Sequence, residues 1–378
     1  MIARKHFFQL LCTLVFAAGC RENYEPPAIQ SGVTALVVDG FINNSSDTTF
    51  IHLSHTNKLS DGVNHSAVLG AQMTLEDLSG TTLYSFIPLN DSGIYVVPGM
   101  QLDINSKYRM RILIGSKQYI SDEIPIVKTP PIDSITFEHN GLGVAICANT
   151  HDPANNTRYY RWEYTETYQY HAAEYSGLMF LNGGLYERPV DQSIYECWRT
   201  QNNTQILTAS TAKLSQDIVY HNTVRFVDQN SLELMVKYYI ALRQYAITKE
   251  SYNYLENLKK ITEETGSIFD AQPSQLTGNI HSVSDANEIV LGYLSASTQE
   301  TKQLYITNAE VQPWDYNPGC VVIEIKPDKI PSAFLNDALI PLGLDGSPFS
   351  LKGVYVTTHP CGDCRVFGGI TTKPFFWP

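Results

Sequence analysis

YRMRILI, residues 108–114, sets Tyr108, Met110, Ile112 and Ile114 against Arg109, Arg111 and Leu113 in strict alternation. A period of two is that of a strand with one face buried; a helix would wind the same residues around its whole circumference. Similar runs precede it: GVTALVVDGFI, TTFIHLS, AQMTLEDLSGTTLYSF and GIYVVPG, all rich in Val, Ile, Thr, Tyr and Phe. The clusters LSGT, NDSG and IGSK separate strands with residues that tolerate tight turns. Five or more such strands within about a hundred residues predict a β-sandwich over 33–128. IPIVKTPPIDSI then marks a boundary, because the Pro130–Pro131 pair cannot continue a ladder.

A second β-rich region is expected from 132 to 378. YYRWEYTETYQYHAAEY, residues 159–175, holds six tyrosines and a tryptophan. It reads as a long strand whose aromatics face a core. The competing reading makes Tyr164, Tyr168, Tyr170 and Tyr175 an exposed platform for a glycan or peptide. SGLMFLNGGLYERPVDQSIY, from 176 to 195, is apolar yet full of turn signals, as in a long loop or hairpin extension. SLELMVKYYIALRQY alternates as a strand from Leu232 to Leu242. TKESYNYLENLKKITEETG changes period: Tyr252, Leu255, Leu258 and Ile261 recur every three residues, with Thr248 as cap and Gly266 as stop. It predicts a helix near 248–265, inserted in the second domain. The expected class is mainly β, with two immunoglobulin-like β-sandwich domains.

MIARKHFFQLLCTLVFAAGC opens the chain with a basic start, Arg4–His6, and a short apolar stretch, Phe7–Ala18. That is the form of a signal peptide, 1–19, and too short to span a bilayer. AAGC places small residues before Cys20, as in a lipobox, although Ala17 stands where Leu is usual. Cys20 is therefore the expected lipidation site, anchoring a linker over 20–32 to a membrane. Loss of Arg4 and Lys5 with the signal takes the net charge from −12 to −14. So acidic a body argues against nucleic acid as a partner.

If Cys20 is acylated, Cys147, Cys197, Cys320, Cys361 and Cys364 remain in the mature chain. In an oxidising compartment disulfides are the default. Cys361 and Cys364 are expected to bond to Cys197 and Cys320 rather than to each other, in an order the sequence leaves open. A zinc site with His359 lacks a second ligand pair. A redox dithiol lacks the α/β unit that usually carries one. Cys147, among the apolar residues of GVAICAN, reads as a buried free thiol. HPCGDCRVFGGITTKPFFWP, residues 359–378, is then a strap: pinned by cysteines, bent at Gly368–Gly369, and docked through Phe375, Phe376 and Trp377.

No nucleophile elbow, zincin helix, phosphate loop or dinucleotide fingerprint occurs, so no catalytic residue, metal ligand or cofactor is expected. A pair of glycosidase carboxylates is spatial and leaves no local trace.

TKESYNYLENLKKITEETGSIFDAQPSQLTGNI, EIVLGYLSAS and the terminal CGDCRVFGGITTKPFFW resemble the Bacteroidota lipoprotein family catalogued as domain of unknown function 4249. The resemblance implies an outer-membrane lipoprotein, often encoded beside a TonB-dependent receptor, and no reaction. Surface-exposed lipoproteins of these bacteria usually carry an acidic run just after the lipid cysteine; here Arg21 precedes Glu22, and the next acid is Glu25. The expectation is a non-catalytic accessory or ligand-binding partner of that receptor, on the periplasmic or the cell-surface side. An adhesin or structural lipoprotein is the alternative, and a secreted hydrolase the third class.

Overall fold

The structure, a computed structural model, describes residues 35–56, 66–263, 276, 278–336, 338–347 and 350–378. The signal segment, Cys20, the linker to residue 32 and Gly266 lie outside the described residues. The protein is mainly β, built of several sheets.

Lys107–Ile114 forms the strand its alternation predicts, with Tyr108, Met110 and Ile112 buried. In its sheet the neighbours run Ile124–Val127, Lys107–Ile114, Gln72–Asp77, Thr82–Pro88, Ile94–Val97, Thr49–His55 and Leu36–Gly40. Their inward residues, among them Ile51, Leu53, Met73 and Leu75, make one continuous core.

The boundary at Pro130–Pro131 does not separate the sheets as the sequence suggests. Three short strands from far downstream complete the first one. Ile280–Ser282 pairs with Lys117–Ser121, and Val290–Leu291 runs parallel to Leu36–Gly40. Ala296–Ser297 lies between Ile42–Asn43 and Ile124–Val127. Gly292 makes this close return sterically possible: its φ is +133°, and a Cβ there would sit 2.0 Å from the Val38 carbonyl oxygen.

A second core lies between two sheets. Tyr159–His171 is central in one, flanked by Lys237–Ala246 and Gln299–Thr307 on one side and by Glu196–Asn202 and Leu207–Ser210 on the other. Ile132–His139, Gly143–His151 and Ile218–Asp228 make the other. Tyr160, Trp162 and Tyr238 meet Val144 and Ile146 in the middle. The strand read from Leu232 begins only at Lys237. Leu232–Leu234 is a 3-10 turn, because nearby carbonyls are taken by side chains instead of a ladder: Trp314 Nε1 donates to Ser231 O at 3.0 Å and Asn308 Nδ2 to Leu234 O at 2.9 Å.

The stretch from 176 to 195 contains the hairpin Leu178–Leu181/Gly184–Glu187. Phe180 stacks on Phe334 at 4.6 Å, over a small third core with Val354 and Val356. The helix spans Lys249–Thr262, and the Thr248 hydroxyl accepts from Ser251 N–H. Its Tyr252 and Leu255 pack with Phe41, Tyr245 and Ile247, so it bridges the two large β bodies.

Among the described residues two disulfides form, Cys197–Cys364 and Cys320–Cys361, spanning 167 and 41 residues. Cys147 is free and buried. After Gly368, at φ +80°, the strap forms a bridge through Ile370 to Trp198. Trp377 is buried beside Trp198 and Tyr239, with Phe376 packed against them. Phe375 departs from the expectation that all three rings dock: it is 99% exposed. The chain turns there, with Trp377 N–H bonded to Pro374 O at 3.0 Å, and the turn aims Phe375 away from the sheet.

Candidate functional site

A cleft of about 1540 Å³ opens between the outer faces of the two large β bodies. Period-two alternation builds both walls. On the first, Ile51 and Leu53 point into the core while Phe50 and His52 face the cleft, beside Asp39. On the second, Tyr160, Trp162 and Tyr164 point inward, which turns Arg161, Glu163 and Thr165 outward. Lys237–Ala246 adds Arg243, opposite Glu163, and Tyr245, opposite Arg161. Tyr254 and Leu258 of the helix close one end.

The second wall is a continuous polar network. Glu163 accepts from Arg161 and lies 4.0 Å from Arg243 Nε. Arg243 Nη1 donates to the Thr165 hydroxyl at 3.1 Å. The Arg161 guanidinium sits 5.5 Å from the centroid of Phe41, whose ring meets Tyr245 at 4.7 Å. Burial, reinforced by the Glu163 carboxylate, pushes the Tyr245 hydroxyl above its usual pKa, so it acts as a donor. Tyr245 Oη donates to Gln299 Oε1 at 3.0 Å, and Asn43 Nδ2 donates to the same oxygen at 2.7 Å. His52 Nε2 hydrogen-bonds the Ser92 carbonyl oxygen at 2.9 Å.

A family profile described as a domain of unknown function, DUF4249, matches residues 21–303, three quarters of the chain. The chain belongs to the DUF4249 family. Its terminal cysteine segment lies beyond the matched residues. Comparison with curated protein sequences finds no match. Among solved structures, one match is Escherichia coli alpha-2-macroglobulin activated by porcine elastase. Identity is 11% and the TM-score 0.19, with 58% of this chain and 19% of that one covered. At that score the likeness says nothing of what a DUF4249 protein does.

The DUF4249 structure removes the aromatic platform. Tyr164, Tyr168 and Tyr170 are buried, at 6%, 3% and 0% exposure. Burial pushes the Tyr164 and Tyr168 hydroxyls to about 12. They are core residues because each lies on the inward side of its strand. Only Tyr175 is exposed, packed edge-on against Tyr195. The four cysteines expected in disulfides are all in them. Cys20 lies outside the described residues. No group of three or more His, Cys, Asp or Glu among the described residues is placed to hold a metal.

Sequence reading missed Arg161, Glu163 and Thr165, although they belong to the stretch whose tyrosines drew attention. The usable signal was the polar half of that alternation. A strand that buries its aromatics must present the residues between them.

Proposed function

We propose that this DUF4249 protein is a non-catalytic, lipid-anchored outer-membrane protein that binds a ligand for, or otherwise assists, a TonB-dependent uptake receptor. The cleft carries this reading. It is large and lies between two β bodies, where ligand sites tend to occur. Its central carboxylate, Glu163, is engaged by two guanidiniums, which suits holding a ligand more than attacking one. The AAGC segment at 17–20 supports the anchor. We also read the two larger cores as two immunoglobulin-like sandwiches, the first completed by strands from 280–297.

Membrane fractionation of Cys20→Ala tests the anchor: the variant should move to the soluble fraction, and unchanged membrane association would refute it. Purification of the wild type in mild detergent tests the role. A co-purifying outer-membrane barrel protein is expected. Attachment to host matrix without one would favour an adhesin. Hydrolysis of glycans, peptides or esters that disappears in Glu163→Gln would instead make the protein a hydrolase.

A further inference from the structure

We infer that the cleft takes an oligosaccharide, held by Asn43 and by the row Arg161–Glu163–Arg243. This rests on the ligand-binding reading above and names the class of ligand.

Asn43 is the deciding residue. It lines the cleft at only 4% exposure, and its Oδ1 has no hydrogen-bond partner among the described residues. A buried acceptor left unpaired is unfavourable unless something supplies a donor. Gln299 cannot rotate to do so. Its oxygen already receives Tyr245 and Asn43, and its amide nitrogen donates to Asp47 and, at 3.1 Å, to Thr301. The donor comes from outside the network, as an O–H or N–H of an ordered water or of a ligand that displaces it.

The second wall narrows the class. Guanidinium donors, a carboxylate acceptor and the Thr165 hydroxyl alternate over a short span. A hydroxyl donates one hydrogen bond and accepts others. Ligands with many adjacent hydroxyls therefore match such a surface at each point, and sugars are that kind of ligand. The half-buried ring pair Tyr254–Tyr293, at 5.5 Å, adds apolar area for sugar C–H faces.

A peptide fits less well. Extended peptides commonly bind by adding a strand to a sheet edge, through backbone hydrogen bonds. The walls here are sheet faces, which offer side chains. Nucleic acid is disfavoured by Asp39, Asp47 and Glu163 in the cleft and by a net charge of −12.

The test exposes the purified full-length protein to two arrays, one of neutral and uronate-containing oligosaccharides and one of random-sequence peptides. Retention of oligosaccharides is expected. For the best of them, Asn43→Ala and Arg243→Gln should each weaken binding about tenfold or more, the loss of one good hydrogen bond. Tyr220→Ala, 76% exposed and outside the cleft lining, should bind as wild type and controls for general effects. Thr165→Val, a milder change than Asn43→Ala, keeps the site testable if Asn43→Ala fails to fold. Retention of peptides alone would overturn the ligand class and leave a binding function standing. Retention of neither would overturn both. Oligosaccharide binding indifferent to Arg243→Gln and Thr165→Val would overturn the site.

Discussion

The Tyr170 hydroxyl donates to the carbonyl oxygen of Cys364 at 2.9 Å, across 194 residues of chain. Tyr170 is also the cross-strand partner of Cys197, which is disulfide-bonded to Cys364. A strand pair, a disulfide and a hydrogen bond thus close on one point. Gly369 lies against it: a Cβ there would meet Tyr170 Oη at 2.2 Å. Tyr170→Phe should cost about 1–2 kcal/mol by leaving a buried carbonyl unpaired. Gly369→Ala should cost about 1–3 kcal/mol through overpacking. Denaturant midpoints measure both, and a wild-type midpoint for either would mean the strap is loose.

Removing the covalent ties acts on the unfolded chain. Replacing Cys197 and Cys364 together by Ala should lower stability by about 2–4 kcal/mol, as for a typical long-loop disulfide. Mass spectrometry of a non-reduced digest should give linked peptides for Cys197–Cys364 and Cys320–Cys361. A Cys361–Cys364 link would contradict the structure.

Glu76 is 5% exposed, and Arg111 Nε donates to its carboxylate at 2.7 Å. That guanidinium, against the opposing effect of burial, holds the carboxyl below the usual glutamate range. A depressed folded-state pKa means the stabilisation is fully present above the unfolded value of about 4.3 and is lost as pH falls through the folded value. Melting temperature measured from pH 7 into the acid range should therefore fall more steeply for wild type than for Glu76→Gln. At pH 7 the variant should be weaker by about 1–3 kcal/mol. Parallel acid profiles would show that the pair contributes nothing.

Inside the second core, Glu166 is 2% exposed and accepts from Arg225 Nε at 2.8 Å, from Gln201 and from Tyr238. Glu166→Ala leaves the Arg225 charge without its main partner and should cost about 3–5 kcal/mol. Glu166→Ala with Arg225→Met should cost less than the sum of the two single changes, because the second removes the charge stranded by the first. Additive losses in urea unfolding would argue that the two side chains act independently.

Local period made Lys107–Ile114 and the helix legible, since each carries its pattern within its own residues. Val290–Leu291 and Ala296–Ser297 are two-residue strands, too short to show any period, and their partners lie far back in the chain. Their return to the first sheet was therefore invisible. Cysteine chemistry showed which four residues pair; the order depends on which loops the folded sheets bring together. The cleft was hidden for another reason. Its floor is the outward half of a strand, and only the opposing wall makes an outward face into a site. Asn43 gives no signal in sequence, because an unpaired acceptor exists only once everything else around it is paired.

The strands at 280–297 also set an order of events. A ribosome releases residues 36–127 well before it makes the segment that completes their sheet. At typical synthesis rates the interval is about 10–30 s. Throughout it, Leu36–Gly40 and Ile124–Val127 lack the neighbours that Val290–Leu291 and Ala296–Ser297 later provide. Open edges of this kind invite pairing with other chains. A nascent DUF4249 chain therefore needs shielding for longer than its N-terminal half would suggest, and a stop codon between residues 128 and 290 leaves both edges open, giving a product prone to stick rather than a smaller working protein.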